Sequence, residues 1–114
     1  MRNVLIIFLV VWSSSSILAR LSGGRVRDTF GTTIGYVEDG VVRNRSYSTI
    51  GYYTKEGRIQ DRYHTTIYKV RKDGSVLDRG GRKIGQVKGD RLEGVGKIEG
   101  GSQVEKVAIF FLLL

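Results

Sequence analysis

Three arginines recur at a fixed interval, with Arg45, Arg62 and Arg79 each 17 residues from the next. Aromatic rings keep company with them, Tyr47 and Tyr63 close by and Phe30 in the corresponding earlier stretch. Guanidinium groups hold phosphates, sulfates and carboxylates through charge-assisted hydrogen bonds, and they stack on aromatic faces. The chemistry this suggests is recognition of a polyanion, carried by Arg45, Arg62, Arg79, Tyr47 and Tyr63.

The remaining reactive side chains argue against catalysis. His64 is the one histidine, and there is no cysteine. A zinc site needs several nitrogen or sulfur ligands, so neither a metal nor another cofactor is expected. Ser46 or Ser48 with His64 and an aspartate could form a triad on paper, but no nucleophile-elbow sequence accompanies them. Asp28, Asn44, Asp61 and Asp78 also recur in phase, and oxygen ligands suit calcium. Their basic neighbours, Arg27, Arg43, Arg45, Arg62 and Arg79, oppose a cation. Turn capping explains the same spacing with no ion at all. The chain reads as a non-enzyme.

These residues ride on a repeat. Five short strands align: Ile34-Gly35-Tyr36-Val37, Ile50-Gly51-Tyr52-Tyr53, Ile67-Tyr68-Lys69-Val70, Ile84-Gly85-Gln86-Val87 and Val95-Gly96-Lys97-Ile98. A second series, Val26, Val42, Ile59, Val76 and Leu92, runs in step at spacings of 16, 17, 17 and 16. Each unit is therefore strand, Asp- or Asn-bearing turn, strand. Asp39-Gly40, Glu56-Gly57 and Asp73-Gly74 supply hairpin turns between units, with Lys88-Gly89-Asp90 as a variant. Only the last twelve residues carry any helical pattern. The 16 glycines among 114 residues, about twice the average share, fit so many turns.

A single hairpin of this size is marginal in water. Three apolar side chains at roughly 1.5–3 kcal/mol each cannot offset the ordering of a unit at about 1.5 kcal/mol per residue. Units must cover one another, and closure into a ring removes the free strand edges. The expected fold is all-β, five tandem short β-hairpin repeats in a closed radial, propeller-like arrangement. Alternation puts Ile34 and Tyr36 on one face and Gly35 and Val37 on the other. The glycine is expected to let backbones crowd a central axis. Tyr68 breaks that rule, and the fifth unit is shortened, with Leu92 only three residues before Val95.

Both ends differ from the repeat. Residues 1–19 read as a secretory signal, with Arg2, an apolar Val4 to Trp12, and a polar-to-small exit from Ser13 to Ala19. Cleavage is expected after Ala19. The apolar run is too short for a spanning helix, which needs about 20 residues. The repeat domain would then occupy 20–101 and an apolar tail 102–114. That tail either plugs one end of the ring or exposes Phe110 and Phe111 to a membrane surface or a second protein.

Function follows from export and charge. The net charge of +8 favours anionic partners. A periplasmic, cell-surface or secreted location makes nucleic acid no physiological target. The expected partner is an anionic envelope glycan or lipopolysaccharide. The alternative is a structural or assembly protein acting through the tail.

The export signal, units of the form seen in Thr33-Ile34-Gly35-Tyr36-Val37-Glu38-Asp39-Gly40 and Asn44-Arg45-Ser46-Tyr47-Ser48-Thr49-Ile50-Gly51-Tyr52, and the aromatic-aliphatic tail belong together. In combination they resemble the five-fold β-flower proteins of Bacteroidota, from Arg25 to Leu114. The resemblance implies a radial β fold in an exported protein and brings no catalytic residues with it.

Overall fold

The computed structural model describes residues 17–114, so most of the expected leader, residues 1–16, lies outside the described residues. The chain from Ile17 runs as a continuous meander of short strands. They are β1 (Ile17–Ser22), β2 (Arg25–Asp28), β3 (Thr33–Glu38), β4 (Val41–Asn44), β5 (Thr49–Tyr53) and β6 (Arg58–Asp61). There follow β7 (Thr66–Val70), β8 (Ser75–Leu77), β9 (Lys83–Lys88), β10 (Arg91–Leu92) and β11 (Gly96–Glu99). A helix, α1 (Gln103–Leu113), follows them at the end of the chain. The strands close into a barrel in which β1 meets β11.

The five expected hairpins are β2–β3, β4–β5, β6–β7, β8–β9 and the short β10–β11. β1 is an additional strand. An up-and-down ring with an odd number of strands must contain one parallel pair. That pair is β1 with β11, in the register Ile17↔Lys97, Ala19↔Ile98 and Arg20↔Glu99. A boundary after Ala19 therefore falls inside a strand, and Ala19 is only 1% exposed, in the core. β1 thus begins three residues before the expected domain start at residue 20. Ile17, Leu18 and Ala19, which resemble the exit of a leader, are half-buried or buried at the start of β1.

Nearly every strand gives one side chain to the core. The series Val26, Val42, Ile59, Val76 and Leu92 is buried throughout, joined by Val37, Val70, Val87 and Ile98 from the intervening strands. The repeated isoleucine behaves differently from simple alternation. Val26 pairs with Gly35 but Arg27 pairs with Thr33, which leaves Ile34 as an extra residue in the ladder. The same slip skips Ile50, Ile67 and Ile84. Such a bulge bends the strand and re-aims its side chain. Ile34, Ile50 and Ile67 consequently pack against the core despite neighbouring an inward-facing residue.

The tail fills the ring. Ser102 and Glu105 cap α1 reciprocally: Glu105 N–H donates to Ser102 Oγ at 3.2 Å, and Ser102 N–H donates to Glu105 Oε1 at 2.9 Å. Val107, Ala108 and Ile109 are wholly buried. The helix lies against β3 to β7, and this explains the glycines. A Cβ on Gly35 would fall 2.5 Å from Leu113 Cδ2 and 2.6 Å from the Arg43 carbonyl. On Gly51 it would fall 2.7 Å from both Leu112 Cδ1 and the Gln60 carbonyl. The crowding is thus of two kinds at once: the neighbouring strand's backbone approaches closely, as expected, and the central helix presses on the same point. Gly85 has no such neighbour, since its Cβ would meet only Val76 at 3.7 Å. Where the third unit has Tyr68, the ring stacks on Phe111 at 3.9 Å. Phe110 and Phe111 are partly buried against the core, so the exposed-patch alternative gives way to the plug.

Candidate functional site

Four loops of one design crown one end of the barrel. In each, the side-chain oxygen of the first residue accepts two backbone amides. Asp28 Oδ1 takes Phe30 N–H and Thr32 N–H at 2.9 and 3.0 Å. Asn44 Oδ1 takes those of Ser46 and Ser48 at 2.9 and 3.0 Å. Asp61 takes those of Tyr63 and Thr65 at 2.8 and 3.0 Å. Asp78 takes those of Gly80 and Arg82 at 2.9 and 3.0 Å. This oxygen is spent on the turn, as the capping reading expects. Among the described residues no group of three or more metal-ligating side chains assembles.

The frame fixes the arginines. Arg45, Arg62 and Arg79 each occupy the second position of a loop, and all three are exposed. Because the meander alternates direction, the loops between β4 and β5, β6 and β7, and β8 and β9 all open at the same end. Among the described residues none of the three arginines pairs with a carboxylate. Tyr63 is 78% exposed, with the Arg62 guanidinium 6.0 Å from its ring centre. Phe30, at the same loop position as Tyr63, is 90% exposed. Arg79 lines a shallow hollow of about 370 Å³ with Tyr68 and Ile67.

The fourth loop position carries a further feature. Its backbone is left-handed in every loop, with Gly31 and Gly81 in two of them. The other two place Tyr47 there at φ 67° and His64 at φ 66°. Each ring rests on the outward tyrosine of the preceding unit. Tyr47 meets Tyr36 edge-on at 5.0 Å, and His64 stacks on Tyr52 at 3.9 Å. Arg43, directly across the ladder from Tyr36, lies over the Tyr47 ring at 4.7 Å. Tyr47 is therefore half engaged by its neighbours, and its cationic partner is Arg43 and not Arg45. Arg43, Tyr36, Tyr52 and His64 join the site from this geometry. Spacing alone does not mark them, because each contact crosses from one hairpin to the next and depends on the ladder register.

A non-glycine residue in the left-handed region costs roughly 1–2 kcal/mol. His64→Gly should accordingly be more stable than His64→Ala by about 1 kcal/mol, since both lose the ring and only one keeps a Cβ. Thermal midpoints of the two variants check this, and equal midpoints would show the loop to be unstrained.

The opposite end of the barrel holds the base of the helix. There the Tyr53 hydroxyl donates to Glu105 Oε2 at 2.7 Å. Burial and that carboxylate push the phenol up to about 12. Tyr53 and Glu105 line an open cavity of about 690 Å³ with Asp39, Thr54, Lys55 and Ser102.

A closed meander of hairpin repeats around a central helix, crowned by four similarly capped loops, is the arrangement of a β-flower. The family of 5-fold beta-flower proteins matches residues 10–113, and the chain belongs to that family. No curated protein and no solved structure matches the chain.

Proposed function

We propose that the protein is a non-catalytic, exported binding module that holds an anionic glycan of the cell envelope, or a lipopolysaccharide, on its loop rim. The observation that carries this reading is the set of side chains held on the loops Asn44–Ser48 and Asp61–Thr65. Arg45, Arg62, Tyr63 and the supported rings of Tyr47 and His64 are presented by a hydrogen-bonded frame that two backbone amides per loop make rigid. Two of those rings occupy left-handed positions where the sibling loops use glycine. Backbone strain of this kind persists where a side chain is needed. Exposed guanidinium groups free of carboxylate partners suit sulfates, phosphates and uronates, and rings beside them suit sugar faces.

The test is binding of heparin, as a sulfated and uronate-rich probe, set against a neutral dextran. Affinity for heparin should fall steeply with salt. Replacing Arg45, Arg62 and Arg79 together by Ala should weaken it roughly a hundredfold, at about 1 kcal/mol per exposed guanidinium. Equal binding by the triple variant, or equal binding of dextran, would sink the reading.

A further inference from the structure

The barrel closes on a strand that the expected leader cut would destroy. Ile17, Ala19 and Arg20 pair with Lys97, Ile98 and Glu99 of β11, and Ala19 also pairs with Asp28 of β2. Arg20 Nε donates to Glu99 Oε1 at 2.7 Å across the same seam. Removing residues 1–19 would take away two of the three residues that face β11, empty the buried Ala19 position and leave the Lys97–Ile98 edge unpaired. Open edges of this kind recruit other strands.

The sequence offers a better place to cut. Export peptidases require small residues one and three positions before the scissile bond. A cut after Ala19 puts Ile17, large and β-branched, three positions before it. A cut after Ser16 uses Ser14 and Ser16, and a cut after Ser15 uses Ser13 and Ser15. Both follow the apolar stretch that ends at Trp12 by three or four residues. The strand begins where this serine run ends. A cleft of about 710 Å³, lined by Ile17, Ala19, Arg20, Arg27 and Asp28, opens at the point where the chain enters the barrel.

We infer that processing occurs after Ser15 or Ser16, so that the finished chain starts at Ser16 or Ile17 and keeps β1 whole. The inference rests on the export reading above. The step is hydrolysis of one peptide bond. Water gives its oxygen to the serine carbonyl carbon as the C–N bond breaks, and both its protons end on the departing nitrogen, leaving a serine carboxylate on the leader and a new ammonium group on residue 16 or 17.

The deciding measurement is the intact mass and N-terminal sequence of the full-length gene product after expression in a Gram-negative host with its own export machinery. A start at Ser16 or Ile17 is expected. A start at Arg20, or at any other internal residue, overturns the inference while leaving export intact. A chain that keeps Met1 and stays in the cytoplasm overturns the inference and the export reading together. The masses of these products separate every case.

Discussion

Ending the chain at Lys106 is expected to unfold the barrel. The deletion removes Val107, Ala108 and Ile109, all wholly buried, together with the partly buried Phe110, Phe111, Leu112 and Leu113. Val107 and Ile109 contribute roughly 1.5–3 kcal/mol each by full burial, and the four partly buried side chains about half of that apiece. The sum, on the order of 10 kcal/mol, matches the whole stability of a domain this size, about 5–15 kcal/mol. The loss should be felt most at β3 to β7, where Leu113 and Leu112 of the helix press against Gly35 and Gly51. A stripped wall of glycines cannot collapse inward, because the bulged strands fix its curvature. Far-ultraviolet circular dichroism and urea titration of the truncated chain should show no cooperative transition. Deleting Leu114 alone, which is 51% exposed, should leave the midpoint unchanged. A cooperative transition in the longer deletion would show that the strands hold themselves without the plug.

That dependence explains what the sequence revealed and what it concealed. The in-phase series from Val26 to Leu92 is legible because a period of about 17 residues survives any local irregularity, and all five members are core. The capped turns are legible for a similar reason, since Asp and Asn act on their own backbone and need no distant partner. The bulge is not legible. One inserted residue exchanges the two faces of a strand, so Ile34 and Gly35 look like alternating positions while both turn toward the core. β1 is hidden by a different cause. The strand that closes an odd ring lacks a repeat of its own to align with, and Ile17-Leu18-Ala19 after four serines has the composition of a leader exit.

The helix lies between these extremes. Seven apolar residues in succession hide amphipathic periodicity, because a helix enclosed by a barrel has no polar face to alternate with. Its start was nonetheless written in Ser102-Gln103-Val104-Glu105, a capping-box signature preceding an apolar run. The rim shows the same division. Its arginines follow the repeat and can be read from spacing alone. The contacts of Tyr36 with Tyr47 and of Tyr52 with His64 cross from one hairpin to the next and exist only once the ladder register is known.

Lys106→Met is the second large effect, and it probes how the plug is locked into the seam. The side chain is only 4% exposed and carries a charge into the interior. Its ammonium donates to the Ile98 carbonyl at 3.1 Å and the Gly100 carbonyl at 2.6 Å, and it pairs with Asp90 Oδ1 at 3.0 Å. These three partners belong to β11, to the turn before the helix and to the turn between β9 and β10, all around the shortened fifth unit. That unit has too few residues to bury an apolar cluster of its own, so one cation stitches its three pieces to α1. Methionine keeps the aliphatic stem and deletes the donors. Two buried carbonyls then lose charge-assisted bonds worth roughly 1.5–3 kcal/mol each, and the net cost should be about 3 kcal/mol. Asp90→Asn should cost less, because that carboxylate is half exposed and the ammonium keeps both carbonyls. The hydrogen bond and charge of Lys106 hold the Asp90 carboxyl below its ordinary 3.8. A lowered carboxyl stabilises the fold above its unfolded value and stops doing so as pH falls through the folded one. The advantage of the native chain over Asp90→Asn should thus be complete at neutral pH and vanish in acid below 3.8. Urea midpoints at neutral and acid pH measure both variants. A Lys106→Met stability within about 0.5 kcal/mol of the native one, the usual scale for surface substitutions, would mean that packing alone seats the helix.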